Sequence, residues 1–139
     1  MSSNILKYTG CSAIIYREKD NKVFIAQRKL TKSFGAGLWE TIGGGIEEED
    51  LTPIDCIKRE IREELNVEIK NIKEFKDYTI KIEDKDKYFI KTFLVELDSE
   101  PKPNIDDFES YGWFDKDEIQ YMDFTSNCKE RLNDYFSKL

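Results

Sequence analysis

The chain has 139 residues, 39% of them hydrophobic and 13% aromatic, which suits one packed globular domain over residues 1–139 and excludes a disordered chain. Its net charge of −7 makes it a poor non-specific partner for nucleic-acid polymers or anionic membranes. The absence of histidine removes histidine-assisted nucleophilic catalysis and histidine metal sites, so proton transfer and cation binding must lean on carboxylates.

Tyr8 to Arg17 carries the apolar run Ala13-Ile14-Ile15-Tyr16 and reads as a buried strand. A polar turn, Glu18 to Lys22, leads to a returning strand from Val23 to Leu30. A loop at Ser33–Gly37 precedes a short strand, Leu38 to Ile42, that runs into Gly43-Gly44-Gly45. These glycines read as an open turn whose backbone can approach a ligand. Thr52-Pro53-Ile54-Asp55 then predicts a helix start, with a capping threonine, proline at the first helical position and an acid at the third. Ile54, Ile57, Ile61 and Leu65 form its apolar stripe, and Asn66 marks its end. Val67 to Glu83 reads as a strand, Glu83 to Lys87 as a charged hairpin turn, and Tyr88 to Leu97 as a central strand apolar on both faces. After a loop from Ser99 to Phe108 come a short strand at Tyr111–Phe114 and a helical turn capped by Asp115 and Glu118. An amphipathic helix follows from about Ser126, with Cys128, Leu132, Tyr135, Phe136 and Leu139 on its apolar face. This order predicts an α/β sandwich with a mixed sheet. Cys11, Cys56 and Cys128 are odd in number and far apart, which predicts buried reduced thiols. No leader-like or long apolar segment is present, so a cytoplasmic protein is expected.

The chemistry concentrates in the first helix. At roughly 100° per residue, Glu60, Glu63 and Glu64 fall on one flank of the apolar stripe, and Lys58, Arg59 and Arg62 on the other. Like charges four apart cost about 0.2–0.5 kcal/mol, so three converging carboxylates call for a cation. Mg²⁺ prefers such oxygen ligands together with water and substrate phosphate.

These residues resemble the Nudix box, G-x5-E-x7-R-E-U-x-E-E-x-G-U with U aliphatic. Arg59, Glu60, Ile61, Glu63, Glu64 and Val67 fit its second half, and Gly44 suits its leading glycine. There are three departures: Asp50 stands for the first glutamate, with Glu49 as an alternative; eight residues separate Asp50 from Arg59; and Asn66 replaces the box glycine. The resemblance implies a Nudix-like α/β/α sandwich and a pyrophosphohydrolase of nucleoside diphosphate-linked compounds that uses Mg²⁺ or Mn²⁺. A nucleoside or deoxynucleoside triphosphate, cleaved to monophosphate and pyrophosphate, is the expected substrate. By position, Glu60, Glu63, Glu64 and the Gly44 carbonyl would hold metal. Glu60 would activate water, and Arg59 would complete the catalytic set by holding a carboxylate in place.

By similarity to mutator-type pyrophosphohydrolases, Asp107 would add a metal ligand, with Glu109 second. Arg28 looks like the family's phosphate-facing arginine. Gly43 and Gly44 would lie against the substrate, and Phe34 and Trp39 would wall a base pocket, although core packing is an equal reading for Trp39. The alternatives are a Nudix-like nucleotide sensor without turnover and a hydrolase of nucleotide sugars or ADP-ribose. The family also leaves a homodimer open.

Overall fold

The computed structural model describes residues 9–82 and 86–139. The predicted turn at Glu83–Lys87 lies in part outside them. Among these residues seven strands form one mixed sheet: β1 (Gly10–Arg17), β2 (Lys22–Arg28), β3 (Trp39–Glu40), β4 (Ile42–Gly45), β5 (Ile69–Ile82), β6 (Asp86–Leu97) and β7 (Phe108–Phe114). β1 is the hub. Its first half pairs antiparallel with β4, its second half with β2, and it runs parallel to β6. The remaining pairs are antiparallel: β5 with β6, and β2 with both β3 and β7.

Alternation along the central strands supplies both faces of a sandwich. Cys11, Ala13 and Ile15 of β1, with Phe24 and Ala26 of β2, pack towards helix α1 (Pro53–Leu65) through Ile57, Ile61 and Leu65. Ile14, Val23 and Ile25 point the other way. They meet Leu132, Tyr135 and Phe136 of helix α3 (Cys128–Phe136) and Ile119 of helix α2 (Lys116–Ile119). The fold is the expected α/β/α sandwich with a mixed sheet. None of its described helices is long and apolar enough to cross a membrane.

The ends of α1 obey local rules. Thr52 accepts from the Asp55 amide, Asp55 answers to the Thr52 amide, and Asn66 closes the helix in the left-handed region at φ 52°. Asp115 and Glu118 form the same reciprocal cap on α2.

Several expectations fail for tertiary reasons. The strand predicted to Leu30 stops at Arg28, where the β2–β7 register shifts, and Leu30 is exposed. Gly43–Gly45 are not a turn: they are extended, inside β4 and paired with Gly10, Cys11 and Ser12. Ile54 leaves the apolar stripe for solvent, and Cys56 takes the buried position instead. Leu139 likewise ends exposed beyond α3, while Arg131 is buried within it. The cysteines are not all thiols. Cys11 and Cys56 form a disulfide with Cα atoms 6.5 Å apart, because α1 packs directly over the β1–β4 pair. Cys128 is free and buried, as predicted.

Candidate active site

The glycines of β4 explain how α1 approaches the sheet. A Cβ on Gly43 would collide with the Cys11 carbonyl and the Cα of Ser12. A Cβ on Gly44 would occupy the space of the Glu60 carboxylate. The residues are small because the strand must admit neighbouring backbone and one acidic side chain, not because the backbone turns.

Glu60 and Glu64 are therefore pressed against β4. Both are half-buried, and Glu64 Oε2 is sealed from solvent with no hydrogen-bond partner among the described residues. Burial first, and the adjacent Glu60 carboxylate second, push Glu64 up to about 9. Burial also raises Glu60, against the pull of Arg59. Glu63 diverges: its side chain is 61% exposed. Among the described residues, no group of three or more acidic, cysteine or histidine side chains forms a finished metal cage. The structure thus brings together two of the three helix carboxylates, and the third stands at the rim.

Arg59 does not lie on the opposite flank. Its long side chain folds back over Glu60 and Glu63, with Nη1 3.4 Å from each carboxylate. Its Nε donates to Asp50 Oδ1 at 3.1 Å and its Nη2 to Asp50 Oδ2 at 2.8 Å, a bidentate pair. Nη2 also donates to the Gly45 carbonyl at 3.2 Å. Asp50 Oδ2 in turn accepts from the Glu47 amide at 2.9 Å. The Arg59 guanidinium holds the Asp50 carboxyl below the usual carboxylate range. Asp50, rather than Glu49, clamps the arginine, and the longer loop accommodates the shorter side chain.

A cleft of about 420 Å³ opens beside these acids, lined in part by Arg28, Glu40, Thr41, Gly43, Gly44 and Glu64. A recess of about 240 Å³ joins Arg28, Lys32, Glu40, Glu64, Asp107 and Phe108. Asp107 therefore faces Glu64, and its charge adds to the upward push on that carboxyl. Glu109 is exposed on β7. Arg28 is fixed by Glu40, with Nη1 3.2 Å from Oε1, and by Nε donating to the Phe34 carbonyl at 2.9 Å. Trp39 does not line the cleft. Its ring packs edge-on against Phe114 at 5.2 Å, in the core beneath α3, so packing replaces its expected role as a base wall. Phe34 is exposed above Arg28, with the guanidinium 5.8 Å from its ring centre. Sequence reasoning missed Glu40, Thr41 and Arg131. Only the pairing of Glu40 with Ala26 on the strand that carries Arg28 brings that acid into place.

A sheltered carboxyl pair, both members of which hold protons more tightly than usual, couples the site to pH. The folded state binds extra protons at Glu64 and Glu60, so their contribution to stability is fully present below about pH 4.5. It is lost as pH rises through about 9. The metal-free melting temperature should decline across that window, and millimolar Mg²⁺ should reverse the decline by neutralising the pair. Melting curves at several pH values, with EDTA or Mg²⁺, measure this.

A mixed-sheet sandwich with an acid-bearing helix laid over a glycine strand defines a class, and comparison identifies it. Residues 7–134 match the model of the NUDIX domain, and the chain belongs to that family. A 52-residue stretch is 44% identical to the 8-oxo-dGTP diphosphatase of Proteus vulgaris, covering 37% of this chain and 45% of that protein. A 51-residue stretch is 45% identical to the CTP pyrophosphohydrolase of Escherichia coli (strain K12), covering 37% of this chain and 36% of that protein. The similarity thus spans less than half the length of either relative. Among solved structures, the MutT NUDIX hydrolase of Burkholderia pseudomallei superposes with a TM-score of 0.75 at 23% identity, over 89% of this chain and 94% of its own. The NUDIX domain of Shewanella oneidensis NrtR, solved with ADP ribose, gives 0.78 at 15% identity, over 95% and 88%. These structural likenesses establish the fold.

Proposed function

We propose that the protein is a divalent-cation-dependent pyrophosphohydrolase that cleaves nucleoside triphosphates to monophosphate and pyrophosphate. The observation that carries this reading is the buried, partnerless Glu64 Oε2 beside Glu60 and the Gly44 backbone, at the head of a cleft that also holds a fixed arginine. A sealed carboxylate oxygen without a donor suits a bound cation and little else. Glu60, Glu64 and the Gly44 carbonyl would hold Mg²⁺ or Mn²⁺, with Glu63 approaching from the rim and Asp107 from the opposite wall. The cation would supply charge neutralisation to the phosphates and acidify a nearby water.

The chain's own residues do the rest. Arg28, oriented by Glu40 and the Phe34 carbonyl, receives phosphate oxygens. Asp50 keeps Arg59 in place, and Arg59 draws Glu60 and Glu63 towards one another. Glu60 takes the proton of the attacking water as a new P–O bond forms, and the anhydride P–O bond breaks to release pyrophosphate. Both curated relatives are named for nucleotide pyrophosphohydrolysis, which supports a nucleotide as substrate. We place the enzyme in the cytoplasm, where nucleoside triphosphates are held.

The test is turnover of a panel of nucleoside triphosphates, nucleotide sugars and ADP-ribose with Mg²⁺ or Mn²⁺, with products separated by chromatography. Pyrophosphate release from triphosphates, abolished by EDTA, is expected. Cleavage of ADP-ribose alone would replace this substrate class, and metal-dependent binding without any product would make the protein a sensor.

A further inference from the structure

The cleft also holds a buried cation that the hydrolysis reading does not use. Arg131, on the second turn of α3, is 4% exposed and lines the same cleft as Gly44 and Glu64. Its hydrogen-bond partners among the described residues are all uncharged, and its guanidinium carbon lies 5.9 Å from the Tyr78 ring centre. Nη2 donates to Thr41 Oγ1 at 3.1 Å and contacts Cys128 Sγ at 3.0 Å, while Nη1 donates to Asn127 Oδ1. Nε has no partner. Five donors thus meet three neutral acceptors, and a guanidinium is taken out of water without a carboxylate hydrogen-bonded to it among the described residues, a costly arrangement unless something else supplies acceptor atoms.

Glu40 feels the charge of Arg131, but its hydrogen bonds come from Arg28. The recess that gathers Glu40, Glu64 and Asp107 contains Arg28 and not Arg131. The rest of the cleft wall is different in kind. Thr125 and Ser126 offer small polar groups, and Ile80, Tyr88 and Ile90 offer flat or apolar surface. A phosphate chain anchored at Glu64 and Arg28 would leave its nucleoside to lie along this wall. A base there could lie against Tyr88 and the isoleucines, a contact worth about 1–3 kcal/mol for an aromatic partner.

We propose that Arg131 is a specificity-determining residue that reads a carbonyl oxygen on the nucleobase, favouring guanine, cytosine and uracil or thymine over adenine. Guanine, cytosine, uracil and thymine each carry an exocyclic oxygen that accepts from a guanidinium. Adenine carries an amino group, and so brings a donor towards a positive charge already rich in donors. The proposal rests on a nucleotide occupying this cleft as in the preceding section, and it adds which edge of the base is inspected.

The experiment compares wild type with Arg131→Met, which keeps the length and removes the charge, and Arg131→Lys, which keeps the charge and loses the planar donors. Melting curves first verify that each variant is folded. Steady-state kinetics on GTP, CTP, UTP and ATP should give wild-type kcat/KM values at least 10-fold higher for the three oxo-bases than for ATP. Arg131→Met should lose most of that ratio through a rise in KM for GTP, CTP and UTP, with ATP little changed, and Arg131→Lys should keep a reduced preference. Binding of GMP, CMP, UMP and AMP, followed by calorimetry, supplies a readout independent of turnover. Should no triphosphate be cleaved, the hydrolase reading falls, yet a preference for oxo-bases that Arg131→Met or Arg131→Lys erodes still supports the assignment. A uniform loss across all four bases would make Arg131 a phosphate ligand. An unchanged ratio in a folded variant, or no binding of any monophosphate, would also overturn the proposal.

Discussion

Replacing Glu64 by glutamine should lower kcat by roughly 10²–10³-fold while leaving a folded protein that, without metal, is more stable than wild type at alkaline pH. The two effects share one origin. Glu64 is held where its charge is poorly solvated, with Oε2 sealed and Glu60 beside it, and both raise its affinity for a proton. Glutamine keeps the shape and never carries the charge, so it removes a burden on the order of 1–3 kcal/mol from the metal-free fold above the range where the glutamate ionises. It also removes the ligand. The measurements are initial rates with saturating Mn²⁺ and melting temperatures in EDTA at pH 6 and pH 9. Wild-type turnover in this variant would mean that the cation is held elsewhere. A melting temperature at pH 9 equal to that of wild type would mean that Glu64 is not strained by its surroundings.

The second large effect concerns Cys11 and Cys56. Their bond closes a loop of 45 residues in sequence, for which chain entropy alone gives about 4 kcal/mol. Reduction should therefore lower the melting temperature by on the order of 10 °C. Cys56→Ser should melt at the lower temperature with or without reductant. Mass spectrometry of the unreduced protein should show the pair joined. Equal melting curves in the presence and absence of reductant would show that the helix–sheet contact is already fixed by packing of Ile57, Ile61 and Leu65. In a reducing compartment glutathione holds such pairs as thiols, so this increment of stability becomes available only on oxidation.

What the sequence disclosed follows from the range over which each signal acts. The limits of α1 were legible because Thr52, Pro53, Asp55 and Asn66 act within a turn of the helix. The same is true of Asp115 and Glu118 on α2. The two-faced core was legible because apolar residues stand side by side, as Ala13-Ile14-Ile15 in β1 and Phe93-Leu94-Val95 in β6. The glycines were read as a turn because nothing near them in sequence announces that they pair with Gly10–Ser12 more than thirty residues earlier. The disulfide was invisible for the same reason. Trp39 is equally suited to a base and to a core, and only the position of Phe114 decides. Arg131 was passed over because a helical periodicity counts arginine as a solvent residue, whereas this one is enclosed by Thr41, Asn127 and Cys128.

Asn66 carries a consequence beyond ending a helix. Its Nδ2 donates to the Lys102 carbonyl at 2.8 Å and to Asn104 Oδ1 at 3.1 Å, while Asn104 Nδ2 donates to the Glu63 carbonyl at 3.2 Å and reaches Asp107 Oδ2 at 3.3 Å. A glycine at this position would allow the same backbone bend but would have no amide to offer. The acid on the far wall is thus suspended from the tip of the helix that furnishes the near wall. The gap between Asp107 and Glu64 is gauged by a bracket four residues long, and the two jaws of the cleft travel as one part.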